Sequence, residues 1–388
     1  MTVVITGAGS GGHVTPLLAV ANELKKIDPN TRVIFIGQKG DPFGRRLEKS
    51  DFIDESIFIS AGKFRRYHGA GLKQLLDIGT ILKNTFDFFK FLIGTIQAYF
   101  VLGRIKPDVI FVKGGYIGVP VGLAAAVRHI NFITHDSDTM PGLANRIIAK
   151  WAAKHATGMP KEFYDYPKDK TVYVGVPISS SYSKVDSMQQ DSFKNQLGIK
   201  TESKLILFTG GGLGAKALND ALLAIVETLL QKYPDTTLIN IAGKDHEDSL
   251  SNQYLRVLKQ NDRERVIIKG FVEDMYKYSG AADLIISRAG ATNLAEFAAQ
   301  AKPCIIIPSP YLVGGHQLKN AKALAEMGAI EVLDENKLKT NPMKLLDSIS
   351  TLMDSDKRRL TLSENLFKIA RNDAAEDLAK LILNQAKE

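Results

Sequence analysis

Two short apolar runs in this chain each break into a cluster of glycines and then into a helix-length amphipathic stretch. "VVIT" (Val3–Thr6) runs into "GAGSGGHVTP", and "KLILFT" (Lys204–Thr209) runs into "GGGLGAKALN". A strand, a glycine-rich turn and a helix start bring backbone N–H groups to the positive end of a helix, which is a built-in site for an oxygen-rich anion. Two such junctions some 200 residues apart point to two α/β domains. The rest of the chain fits that frame. "RVIFIG", "SIFIS", "DVIFV" and "FIT" in the first half, and "TTLINIA", "RVIIKG", "DLIIS", "PCIIIP" and "IEVL" in the second, alternate with helical segments. Continuous apolar strands separated by helices are the pattern of parallel sheets covered on both faces.

The expected division is a first domain over 1–176, a Ser- and Pro-rich linker over 177–192, a second domain over 193–356, and a helical segment over 357–388 that packs on the second domain or crosses back to the first. The single cysteine, Cys304, sits inside "PCIIIP", so an intramolecular disulfide is excluded and a buried thiol in a reducing compartment is expected. The N-terminus lacks the basic flank and apolar core of a signal peptide, and no run reaches the roughly 18 apolar residues of a spanning helix, so neither secretion nor a membrane span is expected.

Charge is unevenly placed. Residues 1–170 hold 23 Lys+Arg against 15 Asp+Glu, and the remainder 27 against 27, so the whole excess of +8 lies in the first half. It is densest from Lys63 to Lys106, where Arg65, Arg66, Lys73, Lys83, Lys90 and Arg104 are interleaved with Phe86, Phe88, Phe89, Phe91, Tyr99 and Phe100. Cations among aromatic side chains suit an anionic membrane surface, and equally suit a core helix with a solvated basic face. No nucleic-acid-binding module accompanies the charge.

The first loop satisfies G-x-G-x-x-G with Gly7, Gly9 and Gly12, but the acidic residue expected at the end of the second strand is missing from "FIGQKG". A dinucleotide cofactor is therefore disfavoured. His13 follows the glycines directly, where its ring would project into the ligand crevice. The second loop, Gly210–Gly214, lacks the G-K-[ST] ending of an ATP-binding P-loop. Later strand ends deliver Arg288, Gly290 and Glu296, then "SPYLVGGHQLKNA". In open α/β sheets ligands bind at the carboxyl ends of the strands, so all these loops belong to binding sites, here for a phosphorylated substrate in an interdomain cleft.

Taken together, "GAGSGGHVTPLLAVA", "KPDVIFVKGGYIGVPVGLAAA", "THDSDTMPGLANRIIAKWA", "FTGGGLGAKALN", "GFVEDMYKYSGAADLIISRAGATNLAEFAA" and "HQLKNA" resemble the MurG family of glycosyltransferases over nearly the full length. The resemblance implies a GT-B fold, in which two Rossmann-like parallel-sheet domains face an interdomain cleft. It implies inverting transfer of N-acetylglucosamine from UDP-N-acetylglucosamine to lipid I, giving lipid II for peptidoglycan, with no metal or other cofactor, at the cytoplasmic face of the membrane. Carried over by position, His13 would be the general base. Gly11, Gly12, Gly114, Gly115, Tyr116, His135 and Asp138 would lie on the acceptor side. Gly211, Gly212, Leu213, Gly214, Phe271, Val272, Arg288, Gly290, Glu296, His316 and Gln317 would hold the UDP-sugar, with Arg288 or His316 helping the glycine loop to stabilise departing UDP.

Several positions depart from the family pattern. Gly212 and Leu213 replace a Ser-Gln pair, Val176 and Ser179 stand where the family has Asn and Arg, and His316 precedes the one remaining glutamine. The tetrad His-Glu-Gln-Asn reads His135, Asp136, Ser137 and Asp138. These changes keep two alternatives open, a glycosyltransferase of the same fold for another sugar or acceptor, and a nucleotide-sugar-binding protein without catalysis. The "HDSD" stretch also has the look of an Asp-x-Asp metal motif or of a cap, by Ser137, Asp138 or Thr139, on a helix from Pro141.

Overall fold

The computed structural model describes residues 1–7, 11–41, 44–63, 78–212 and 214–388. It divides into two compact units, one of Met1–Ser180 with Tyr311–His316 and Arg371–Glu388, the other of Ser181–Pro310 with Gln317–Ala370.

The first unit is built on seven parallel strands: β1 (Thr2–Gly7), β2 (Arg32–Gln38), β3 (Glu55–Ile59), β4 (Val109–Gly114), β5 (Phe132–Asp136), β6 (Lys154–Thr157) and β7 (Thr171–Tyr173), in the order β3-β2-β1-β4-β5-β6-β7. Helices α1 (Gly11–Ile27), α2 (Gly44–Glu48), α3 (Ile78–Ile105), α4 (Gly118–Val127) and α5 (Leu143–Ile148) connect them. Along β1 the side chains alternate between two cores. Val3 and Ile5 join Val14, Leu17 and Val20 of α1, while Val4 joins Ile110, Val112, Ala98 and Leu102. Both faces are covered, which is why the strand reads as a continuous apolar run.

In the second unit the parallel strands are β8 (Lys204–Thr209), β9 (Thr236–Ile241), β10 (Val266–Lys269), β11 (Leu284–Ser287), β12 (Cys304–Ile306) and β13 (Glu331–Val332), ordered β10-β9-β8-β11-β12-β13. Its helices are α6 (Ser187–Gln196), α7 (Lys216–Lys232), α8 (Glu247–Val257), α9 (Gln260–Arg263), α10 (Met275–Ala281), α11 (Ala291–Ala299), α12 (His316–Glu326), α13 (Glu335–Thr340), α14 (Met343–Met353) and α15 (Asp356–Lys368). The thiol of Cys304 is fully buried in β12, where burial alone pushes it far from ionisation.

Two boundaries differ from the sequence reading. The Ser-rich stretch is not linker throughout, because α6 begins at Ser187 under a capping box in which Asp186 accepts from the Gln189 amide and the Gln189 side chain accepts from the Asp186 amide. The terminal segment is two helices rather than one. α15 belongs to the second unit, whereas α16 (Ala374–Gln385) lies in the first, with Leu378, Ala379, Ile382 and Leu383 packed among β1 and α1 residues.

Helix α3 also departs from expectation. It is long and apolar enough, by length and composition, to cross a membrane over Gly79–Ile105, although Lys83, Asp87 and Lys90 interrupt the apolar run. One side of it is bound to its own unit. A Cβ on Gly62 would fall 1.8 Å from the Asp87 carbonyl oxygen and one on Gly94 1.9 Å from that of Ser60, so only glycine permits the contact. The Gln97 side chain accepts from the Ser60 amide at 2.7 Å. The other side carries Leu82, Phe86, Phe89, Ile93, Ile96 and Phe100, all exposed and spaced four and three residues apart, so they form one stripe along the helix.

Candidate functional site

In the first unit the chain leaves β1 toward β2 and leaves β4 toward β5, so a crevice opens where these neighbouring strands diverge at their carboxyl ends. His13, in the first turn of α1, stands on one side of it, and Gly114, Gly115 and Tyr116 on the other. Gly114 (φ +108°) and Gly115 (φ +78°) adopt backbone that a side chain would strain. A Cβ at Gly114 would lie 3.6 Å from His13 Cε1 and 3.5 Å from both polar atoms of the Asn145 amide, so the glycine is where the imidazole and the amide approach the loop. His13 is half-buried, with Nδ1 closed off from solvent and without a hydrogen-bond partner among the described residues. Burial, then the charge of Lys113, lowers its pKa to about 3, against a small opposing pull from the Lys113 backbone. The imidazole is therefore neutral at physiological pH, the form that can accept a proton.

Lys113 itself is 3% exposed, an amine at the end of an otherwise apolar strand. Burial lowers its pKa, and the carboxylates of Asp136 and Asp138 act in the other direction. Tyr116, half-buried, is pushed up to about 12 by burial and by Asp41 and Asp87, so it remains a neutral phenol.

The "HDSD" tetrad is placed differently from expectation. β5 continues through Asp136, which turns the His135 ring into the interior with no exposed surface. Its Nε2 donates to the Gly175 carbonyl at 2.9 Å and its ring meets Phe111 edge-on, so it supports the wall from behind rather than facing an acceptor. The Asp136 carboxylate accepts from the Gly142 amide at 2.8 Å, Asn145 Nδ2 at 3.0 Å and the Tyr166 hydroxyl at 2.8 Å. It thereby fixes the turn into α5. The N-cap of that helix is Gly142, with no side-chain cap, so the capping expectation for Ser137, Asp138 or Thr139 is not met. Asp138 is half-buried and its carbonyl accepts from Tyr164 at 2.6 Å. Gly11 and Gly12 open α1.

The second unit repeats the arrangement, with the strand order reversing between β8 and β11. In the loop after β8, Gly211 (φ +83°) and Gly214 (φ +73°) are joined by a 2.9 Å bond from the Gly214 amide to the Gly211 carbonyl. A Cβ on Gly214 would fall 2.1 Å from the Ala242 carbonyl oxygen. The helix that follows, α7, has no side-chain cap and no acid in its first turn, and so has α11 after Gly290. Both present their first amides and positive ends to the same loops. Asn293 of α11 reaches Gly211, its Nδ2 lying 3.5 Å from where a Cβ would be. Gly212 is exposed, and Leu213 lies outside the described residues. After β10, the exposed Phe271 ring has Lys244 Nζ 5.0 Å from its centroid, and Val272 packs on the core. Glu296 is buried on α11, and the Gln317 side chain accepts from the Ser309 amide at 2.9 Å. His316, half-buried at the start of α12, groups with the first unit.

Arg288 is turned toward the strand ends of its own unit. Its Nη1 donates to the Ile307 carbonyl at 2.9 Å and lies 2.6 Å from Glu335 Oε2, with both residues buried. Sequence reasoning passed over Lys113, Asn145, Asn293 and Glu335. For Lys113 the available signal was a lysine interrupting the apolar run "DVIFV" just before two glycines.

Two parallel-sheet units, each with its ligand loops at a strand-order reversal, define the class of GT-B nucleotide-sugar enzymes. Residues 3–157 match the glycosyltransferase family 28 N-terminal domain and residues 205–379 its C-terminal domain. The chain is 33% identical over 387 residues, covering all of both proteins, to the UDP-N-acetylglucosamine–N-acetylmuramyl-(pentapeptide) pyrophosphoryl-undecaprenol N-acetylglucosamine transferase of Halalkalibacterium halodurans. It is 29% identical to that of Natranaerobius thermophilus, over 98% of this chain and 99% of the other. Among solved structures, Acinetobacter baumannii MurG superposes with a TM-score of 0.72 at 25% identity, covering 99% of each chain. The Staphylococcus aureus MnaA–UDP structure, at 15% identity and a TM-score of 0.69 over 100% and 98%, shares the fold. The chain belongs to the MurG family within glycosyltransferase family 28.

The buried imidazoles give the first unit a pH signature. The pKa values of His13 and His135 are lowered by burial and by Lys113, so the folded state favours their neutral forms. That stability is complete above the unfolded value of about 6.5 and is lost as pH falls below it, at roughly 1 kcal/mol per ring by pH 5.5. Asp136, whose pKa burial raises, opposes the trend as pH falls. Urea unfolding at pH 7.5 and 5.5 should show the decline, and His135→Gln should make it shallower.

Proposed function

We propose that this chain transfers N-acetylglucosamine from UDP-N-acetylglucosamine to the undecaprenyl-pyrophosphoryl-N-acetylmuramyl-pentapeptide acceptor, the activity that its full-length relatives are named for. The observation that carries the reading is that identity over the entire chain coincides with a neutral histidine at the β1–β4 reversal and an uncapped glycine loop at the β8–β11 reversal. The acceptor hydroxyl attacks the anomeric carbon and the bond to UDP breaks with inversion. The His13 imidazole takes the hydroxyl proton. The charge left on UDP falls on the positive start of α7 and its first amides, which the glycine loop lets a diphosphate approach, a role that elsewhere a divalent cation fills, so no resident metal is required. Gly212 offers no hydroxyl to the diphosphate, which leaves backbone donors as the means of holding it. With UDP-N-acetylglucosamine and a lipid I analogue in EDTA, the wild-type protein should turn over, and His13→Ala should lose about 100-fold or more in kcat while binding UDP normally. Near-native turnover by His13→Ala would remove the base assignment.

The exposed stripe of α3 supports a membrane-side partner. Six large apolar side chains in one row, with Lys83, Lys90 and Arg104 on the same helix, form the surface of a helix lying in a lipid interface, with cations at the level of anionic headgroups. The basic residues Arg65, Arg66 and Lys73 lie outside the described residues. On this reading the protein is a peripheral enzyme of the cytoplasmic membrane face, where a soluble UDP-sugar and a lipid-linked acceptor meet. Sedimentation with anionic vesicles should retain the wild-type protein, less so at high salt, and the paired change Phe86→Asp with Phe89→Asp should reduce retention about tenfold without lowering Tm. Undiminished retention would assign the stripe elsewhere.

A further inference from the structure

The ion pair of Arg288 points to a residue outside the ligand loops. Glu335, the first residue of α13, is 5% exposed and sits between two cations. Its Oε2 is 2.6 Å from Arg288 Nη1 and its Oε1 2.8 Å from Lys339 Nζ, one turn further along α13. Asp334 fixes the helix start by accepting from the Asn336 and Lys337 amides at 2.7 and 3.3 Å, so the Glu335 side chain leaves from an anchored turn. Arg288 in turn reaches the carbonyl of Ile307, just past β12. One guanidinium thus ties the ends of β11, β12 and β13 together. The loop that starts at Arg288 continues as Ala289 and Gly290 into α11, which carries Asn293 and Glu296. Its next carbonyl, that of Ala289, is held from α12 by Asn320 Nδ2 at 3.1 Å.

We propose that Glu335 is a positioning residue for the UDP-sugar. Through Arg288 it sets the height and orientation of the Ala289–Asn293 loop against the Gly210–Gly214 loop, and it keeps the guanidinium from swinging into the diphosphate site. The inference rests on the donor being held by the second unit. A guanidinium left without its carboxylate in a buried position must find another partner or water, and the peptide it anchors moves with it. Neither Glu335 nor Arg288 need touch the ligand for donor affinity to depend on their pairing.

Isothermal titration with UDP reads this without relying on turnover. Glu335→Gln keeps the shape and one acceptor but removes the charge, and should weaken UDP binding about tenfold, with KM for UDP-N-acetylglucosamine rising in step while KM for the lipid acceptor stays put. Because that variant also loses stability, the double change Arg288→Met with Glu335→Met supplies a second arm. An apolar pair of similar volume restores Tm, yet without the clamp the loop remains misplaced and UDP binding stays weak. UDP affinity within twofold of wild type, or tighter, in Glu335→Gln would overturn the inference. So would recovery of affinity together with Tm in the double variant, which would make the pair a stabilising element only. Wild-type protein that bound no UDP would overturn the donor reading itself and this inference with it, whereas normal wild-type binding with an unaffected variant overturns the inference alone.

Discussion

The functional geometry depends on a backbone constraint, the covering of a parallel sheet on both faces. A parallel strand cannot return by a hairpin, so each one is followed by a helix on one face or the other. Where successive connections leave in opposite directions, two neighbouring strands end beside a gap. Both units have such a gap, between β1 and β4 and between β8 and β11. Only backbone can approach a ligand closely there, and that is where Gly114, Gly115, Gly211 and Gly214 hold conformations that strain any side chain.

The same two-sided burial determines the electrostatics of the first unit. Because β4 and β5 are interior strands, the charges at their ends are desolvated, and Lys113, His135 and Asp136 meet in a low-dielectric setting. Lys113 there makes a positive charge on His13 costly, while Asp136 and Asp138 counter part of the effect of burial on Lys113 itself. In the second unit the charges are paired instead. Arg288 and Glu335 form a buried ion pair, and the helix starts beside the loops, α7 and α11, carry neither a side-chain cap nor an acid in the first turn.

Much of this could be read from the chain. The apolar runs gave the strands because burial on both faces removes any alternation, and the glycines gave the loops because nothing else fits their backbone. Less legible were features set by register and by distant pairing. His135 was placed on the acceptor side by its position in the family tetrad, yet β5 pairs with β6 through Asp136 and the ring lies wholly in the interior. Arg288 looked free because Glu335 lies far along the chain, on a helix of six residues. The stripe on α3 was present in the spacing of Leu82, Phe86, Phe89, Ile93, Ile96 and Phe100, but cations among them drew attention to charge rather than to the uninterrupted row. The linker was overextended because its serines and glutamines hide the Asp186–Gln189 capping box.

The central claim is that the nucleotide is bound by the second unit's strand-end loops, while the first unit keeps its histidine for the other substrate. Amide hydrogen exchange with and without saturating UDP tests it directly. The account predicts protection at Gly210–Lys216 and Ala289–Glu296, with exchange at Gly12–Val14 and Lys113–Tyr116 unchanged. Protection centred on Gly12–Val14 and Lys113–Tyr116, with the second unit unaffected, would contradict it.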